Sequence, residues 1–426
     1  MLLQSHFAVA TLDQVEDRTI ERENTKQSNA PEGARANVVR RGFGLKGEIR
    51  ETLVSDYHSE LVEKIKSQGN TLSIGRLTFR LAEEFGFCYG VDFALNLAYE
   101  TRRQFPDRRI FLTNEIIHNP RVNTRLSEMG VEFIDSSTDS LDRFSRVTAD
   151  DIVLIPAFGA PIGEYQALQQ KGCLVVDTTC GSVIAVWKRV ERYAKEGFTA
   201  IIHGKHVHEE TRATSSQTGK YESGTYLIVY DKQEAAYVCR YIVEGGDRDD
   251  FLRRFADACP AGFDPDRDLA RVGLANQTTM LSSESLEIAE MFRRAIEQRY
   301  GAEAVGDRFR HFDTICTATQ DRQDAVSKLV QEDVDMMIVI GGYNSSNTGH
   351  LAEISAQHMP AFHINESRCI LSASQILHKP IGASEEVMTE GWLPEGNVTI
   401  GVTAGASTPD RIVGEVIDRI VNCCFE

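Results

Sequence analysis

The 426-residue chain reads as an α/β protein built from three related lobes that face a common centre. Three observations predict this. A cysteine recurs between an apolar run and a helical pattern, at Cys88, Cys180 and Cys316. Each is followed at nearly constant distance by an apolar strand ending in a polar loop: His118 lies 30 residues after Cys88, His208 lies 28 after Cys180, and Asn344 lies 28 after Cys316. A further strand and loop then closes each unit. Open α/β sheets bind ligands in loops at the carboxyl ends of their parallel strands. Lobes that face one another therefore gather three cysteines and three polar loops at one place.

Residues 1–76 are expected to form an N-terminal extension followed by a helix. The extension lacks periodicity to about Gly47, whereas residues 51–67 place Leu53, Tyr57, Leu61, Val62 and Ile65 on one helical face. Residues 77–87 make a strand that joins a neighbouring sheet, that of the third lobe, and carries the chain to Cys88.

The first lobe, 88–180, opens with Gly86-Phe87-Cys88-Tyr89-Gly90 and a helical pattern at Val91, Ala94, Leu95 and Ala98. A strand at 110–112 leads to His118-Asn119, and one at 152–155 to Ala157-Phe158-Gly159-Ala160. The second lobe, 181–312, follows Asp177-Thr178-Thr179-Cys180 with a helix marked by Val183, Trp187, Val190 and Tyr193. Strands at 200–202 and 272–274 lead to His208-Glu209-Glu210 and Asn276-Gln277-Thr278-Thr279. Between them, residues 244–271 are charged and contain Gly and Pro, predicting an exposed insertion with a short helix at 251–258.

The third lobe, 313–426, opens with Asp313-Thr314-Ile315-Cys316-Thr317-Ala318-Thr319 and a helix on Ala325, Val326, Leu329 and Val330. Strands at 336–340 and 398–402 run into Asn344-Ser345-Ser346-Asn347 and Thr403-Ala404-Gly405-Ala406-Ser407. Ser407-Thr408-Pro409-Asp410 starts the last helix, with Pro in its first turn.

Composition bounds the function. A hydrophobic content of 42% with 26% charged residues is ordinary for a globular chain, and no apolar run approaches the roughly 20 residues of a membrane span. The net charge of −17 argues against nucleic-acid binding, favours a basic partner, and leaves an anionic substrate to be held by local His side chains, hydroxyls and helix N-termini. The nine cysteines form no even framework, so reduced thiols in a bacterial cytoplasm are expected. Asp13, Glu16, Asp17, Glu21 and Glu23 make the N-terminus unlike an acid-poor plastid transit peptide. Cys173, Cys239, Cys259, Cys369, Cys423 and Cys424 lack the repeated context and read as incidental thiols.

A helix N-terminus favours thiolate, the metal-ligating form, at each repeated cysteine. Structural zinc usually recruits close pairs such as Cys-x2-Cys, which these three do not form. A redox dithiol needs two neighbours. Iron–sulfur clusters commonly take four thiolates, so three would leave one iron open to substrate, as in a catalytic rather than a structural site. His118, His208, Asn344, Ser345, Ser346, Asn347 and Ser407 are polar groups suited to phosphate oxygens. Glu210 is the conspicuous carboxylate, and Thr278 can hold a hydroxyl or water beside it.

From about Leu77 to the C-terminus these motifs resemble the 4-hydroxy-3-methylbut-2-enyl diphosphate reductase family, in its plant and cyanobacterial branch. The resemblance implies a trefoil with pseudo-threefold symmetry around a [4Fe–4S] cluster held by Cys88, Cys180 and Cys316, with one open iron. It implies reductive removal of the substrate's C4 hydroxyl, with His118, His208, Thr278, Asn344, Ser345, Ser346, Asn347 and Ser407 binding substrate. Glu210 with Thr278 would relay protons, and a ferredoxin or flavodoxin would supply electrons. An iron–sulfur hydratase or dehydratase and a non-enzymatic iron–sulfur sensor are the alternatives. Two departures from the family pattern stand out. Phe158 occupies the place of a histidine that binds diphosphate, leaving Lys205 or His206 to supply the charge, and Gly181 replaces a proline after the second cysteine.

Overall fold

The structure, a computed structural model, describes residues 38–135, 141–312 and 314–425. The first 37 residues of the expected extension, and Asp313 at the expected start of the third lobe, lie outside them.

Three separate sheets carry the chain. The first has the order β1 (Val38–Val39), β7 (Leu174–Asp177), β6 (Ile152–Ile155), β4 (Ile110–Leu112), β5 (Val131–Phe133), all parallel. The second runs β11 (Phe309–His311), β10 (Val272–Asn276), β8 (Thr199–His203), β9 (Tyr226–Val229), also parallel. The third is β13 (Ala361–Ile364), β12 (Met336–Ile340), β16 (Val398–Ala404), β3 (Leu77–Leu81), β2 (Thr71–Ile74), with only β2 antiparallel. A hairpin of β14 (Gln375–His378) and β15 (Val387–Glu390) stands apart.

The sheets share one plan. In each, the strand preceding a cysteine lies beside the closing strand, which lies beside the strand of the polar loop: β7-β6-β4 before Cys180, β11-β10-β8 before Cys316, β3-β16-β12 before Cys88. Strands such as Met336–Ile340 and Ile152–Ile155 are buried along their whole length, the continuous apolar pattern expected of parallel sheets covered on both faces. Each cysteine caps the helix that follows, Tyr89–Gln104, Gly181–Lys195 and Thr317–Leu329.

Two expectations are corrected. The helix over 51–67 is two helices, Lys46–Tyr57 and Glu60–Ser67, because Ser59 takes up the N-cap role: its hydroxyl accepts from Val62 N at 3.3 Å while His58 is extended. The 244–271 stretch is not a solvated insertion. Its short helices are Arg248–Arg254 and Pro265–Asp268, and Phe251, Phe255, Phe263 and Leu269 are buried in the same core as Ile201, Leu227 and Leu274. Its charges face water while its aromatics complete the second sheet's cover, an arrangement that its Gly and Pro content hides.

N-terminal to the first lobe, β1 adds to the first sheet beside β7, and Arg40 Nε donates to the buried Asp177 at 2.8 Å. Asp177 in turn accepts from Thr179 N at 3.0 Å, fixing the turn that precedes Cys180.

Candidate functional site

The three cysteines are delivered to one place by a repeated backbone bond. Cys88 N donates to Ala406 O at 3.2 Å, Cys180 N to Ala157 O at 2.8 Å, and Cys316 N to Thr278 O at 3.3 Å. Each cysteine is thus pinned to the closing loop of the sheet that its own strand has just left. Arg322, almost fully buried, adds a second tie by donating to Gly86 O at 2.7 Å and Phe87 O at 3.1 Å. Gly90 is the steric partner of this arrangement: a Cβ there would collide with Cys180 Sγ. Only hydrogen at that position lets the sulfur approach.

Cys88, Cys180 and Cys316 line a cavity of about 110 Å³ together with His118, His208, Glu210, Thr278, Thr279, Ser345, Ser346, Asn347, Ser407 and Phe158. Asn344 is exposed and outside it, because the helix Ser346–Ala356 begins just beyond and Ser345, not Asn344, is its cap. Lys205 and His206 do not line it either. The Lys205 ammonium instead lies 5.9 Å from the Tyr230 ring centre.

The acid is held from two sides. Thr278 N donates to Glu210 Oε1 at 2.6 Å and Thr278 Oγ1 to Oε2 at 2.9 Å. Complete burial raises the Glu210 carboxyl to about 7, against the pull of these two bonds. Thr278 therefore contacts the carboxylate with its N–H and hydroxyl, and a cysteine with its carbonyl.

The histidines form an ordered chain. His208 Nδ1 accepts from Glu210 N at 3.1 Å, which puts its proton on Nε2, 3.3 Å from His118 Nε2. His118 Nδ1 then donates to Glu115 at 3.0 Å. Burial pushes His208 down to about 3, with the nearby His118 and Lys205 acting in the same direction, so it stays a neutral donor. Phe158 stacks on His118, ring centres 4.5 Å apart and planes 15° apart, so it fixes the ring's plane where it offers no hydrogen bond.

The third lobe contributes donors. Ser345 caps the helix Ser346–Ala356, whose unsatisfied N–H groups face the cavity end. Ser407 Oγ donates to His118 O at 3.1 Å, and Gly342 has no Cβ to obstruct that same carbonyl. Asn347 Oδ1 accepts from Ala406 N at 2.9 Å, while its buried Nδ2 has no partner among the described residues. An orphaned buried donor beside a helix N-terminus fits an anionic ligand.

The thiols differ from expectation. Burial raises Cys180, and raises Cys316 to about 11, outweighing the bonds from Thr319 N and Oγ1 that lower it. In the bare chain these are thiols, and the helix N-termini alone do not make thiolates. Among the described residues, His118, His208 and Glu209 have ligand atoms that all lie within 4.8 Å of one another. Three cysteines lining one cavity are a donor set that an iron–sulfur cluster accepts.

The LytB protein family model matches residues 79–421. The chain belongs to the LytB family. Two curated relatives named 4-hydroxy-3-methylbut-2-enyl diphosphate reductase, from Gloeobacter violaceus and Thermosynechococcus vestitus, are each 52% identical to it. The first aligns over 90% of this chain and 92% of its own, the second over 90% and 94%. The solved E-1-hydroxy-2-methyl-but-2-enyl-4-diphosphate reductase from Plasmodium falciparum covers 80% of this chain and 86% of its own, with TM-score 0.57 and 21% identity, and shares the fold. LytB membership implies an iron–sulfur centre, which the donor set of three cysteines suits. No helix among the described residues is long and apolar enough to cross a membrane.

Gly90, Arg322, Glu115 and Thr279 are site residues that sequence reasoning did not single out. Gly90 and Thr279 sat inside motifs already read, next to residues with more obvious chemistry. Glu115 and Arg322 carry no local signal, since their partners are distant in sequence or made by the fold.

Proposed function

We propose that this chain reduces 4-hydroxy-3-methylbut-2-enyl diphosphate to isopentenyl and dimethylallyl diphosphates, the last step of the methylerythritol phosphate route to isoprenoids. The substrate gains two electrons and two protons and loses its C4 hydroxyl as water. Cys88, Cys180 and Cys316 hold a [4Fe–4S] cluster with one iron free of protein ligands. The chemistry such a cluster supplies when bound is electron delivery and a Lewis-acidic iron.

The protein's own residues do the rest. His118, His208, Ser345, Ser346, Asn347 and Ser407 bind the diphosphate through imidazole, hydroxyl and amide groups and a helix N-terminus, which suits a chain whose global charge repels anions. Glu210, whose buried carboxyl is about half protonated at neutral pH, releases its proton towards the leaving hydroxyl, while Thr278 keeps that carboxyl aimed. Val91, Ile117, Phe158 and Val183 give the cavity an apolar wall for the five-carbon chain. A one-electron carrier, ferredoxin or flavodoxin, supplies the electrons.

The observation that carries this reading is Thr278, which bonds the proton-holding Glu210 and the Cys316 backbone at once and so couples acid to metal site. Anaerobic assay of reconstituted protein with a chemical reductant tests it. Products should form only when reductant is present, and turnover without one would instead indicate a hydratase-type reaction.

A further inference from the structure

The helix Gly181–Lys195 begins directly after Cys180, and its outer face is charged in a way the whole chain is not. Lys188, Arg192 and Lys195 are exposed, as are Gly181 and Ala185 nearer the start, so these positions at spacings of four and three form one stripe. Arg189 lies beside it, its guanidinium 3.9 Å from the ring centre of Phe312, itself 37% exposed and four residues before Cys316. The helix has one acid, Glu191, and it is paired with Lys220. None of Lys188, Arg189, Arg192 and Lys195 has a carboxylate partner among the described residues. Against a net charge of −17, an unpaired cationic stripe running from a cluster ligand is a local reversal of sign.

Cys88, Cys180 and Cys316 are themselves only partly buried. The residue following each cysteine, Tyr89, Gly181 and Thr317, is exposed, Tyr89 at 78%. From the Cys180 cap to Lys188 is about 12 Å along the helix, at 1.5 Å per residue. A protein seated on the stripe therefore stands close to the cysteines without entering the substrate cavity.

We infer that this face, Lys188, Arg189, Arg192 and Lys195 with the Phe312 ring, is the docking surface for an acidic one-electron carrier protein. The inference rests on the proposed reductase reading. Charge complementarity selects the partner's sign: a basic carrier would meet like charge here, although the chain's total charge alone favours one. For each substrate molecule reduced, two reduced carriers are each oxidised by one electron, the C–O bond breaks, and of the two protons taken up one leaves with the hydroxyl as water and the other forms the new C–H bond. Steering by such a patch raises encounter rates by 10- to 1,000-fold at low salt and fades with ionic strength.

The test uses reconstituted full-length protein and two reductants, dithionite and a reduced, acidic plant-type [2Fe–2S] ferredoxin. The triple variant Lys188→Glu/Arg192→Glu/Lys195→Glu should keep its cluster spectrum and its dithionite-driven turnover within about twofold. Its KM for ferredoxin should rise by about tenfold or more, and the salt dependence of the ferredoxin-driven rate should flatten. Arg248→Glu/Arg253→Glu, which reverses charges on a different helix, Arg248–Arg254, should leave that KM unchanged. An unchanged ferredoxin KM in the triple variant, an equal rise in the double variant, or loss of dithionite turnover in the triple variant overturns the inference. Absence of dithionite-driven turnover in the wild type would instead overturn the reductase reading itself.

Discussion

Replacing Glu210 with Gln removes one proton and little else. The amide keeps an oxygen to accept from Thr278 N, and the Thr278 hydroxyl can rotate to accept from the new NH₂, so the link from Thr278 O to Cys316 N survives. The cluster should assemble to wild-type content. The Glu210 carboxyl, raised to about 7 by burial, is about half protonated at neutral pH, which suits a general acid. Such steps are worth about 10²–10⁴-fold, so kcat of Glu210→Gln should fall to about 1% of wild type or below, measured anaerobically at equal iron content. The sign of the pH effects follows. Wild-type kcat should decline as pH rises through about 7, where the proton is lost, and the variant's residual rate should lack that limb. In the metal-free chain the raised carboxyl favours the fold below its ordinary value of 4.5, and that contribution is lost as pH rises through about 7. The variant should therefore gain stability relative to wild type on going from about pH 6 to 8. Activity within about threefold of wild type, or an unchanged pH profile, would refute the assignment of the proton to Glu210.

Other perturbations separate the parts of the site. Gly90→Ala should abolish cluster assembly, read as iron and sulfide content, while far-UV circular dichroism stays native, since its Cβ would occupy the path of Cys180 Sγ. Asn347→Ala removes the orphaned Nδ2 donor and should raise KM for the diphosphate by about tenfold, the value of one hydrogen bond to a charged group, with kcat changed less. Arg322→Met leaves the Gly86 and Phe87 carbonyls without their donor and should cost about 2–4 kcal/mol in denaturant unfolding of the metal-free protein. Because His208 is already depressed to about 3, substrate KM should show no His208 titration between about pH 5 and 8.

The repeated Cys-to-helix junctions were legible because local rules govern them: an apolar parallel strand, a turn and a helical pattern are all written in consecutive residues. The polar loops followed from the same periodicity, so Glu210, Thr278 and the two histidines were found without contact information. What the sequence concealed depends on distant partners. Ser59 breaks a helix whose apolar face continues across it, and periodicity cannot see a cap inside a stripe. Phe251, Phe255 and Phe263 were masked by neighbouring charges, although aromatics at that density rarely stay in water. The thiols went the other way, since helix position was visible and burial was not. Arg40 on Asp177 shows the same limit: 137 residues separate a surface arginine from the turn it secures.

The central claim is that three cysteines and Glu210 serve one reductive site. Its most direct test is product analysis after anaerobic reconstitution, with 4-hydroxy-3-methylbut-2-enyl diphosphate added in the presence and absence of dithionite. About four iron and four sulfide per chain are expected, with isopentenyl and dimethylallyl diphosphates formed only with reductant. Stoichiometric zinc in place of iron, or product formed without reductant, would contradict it.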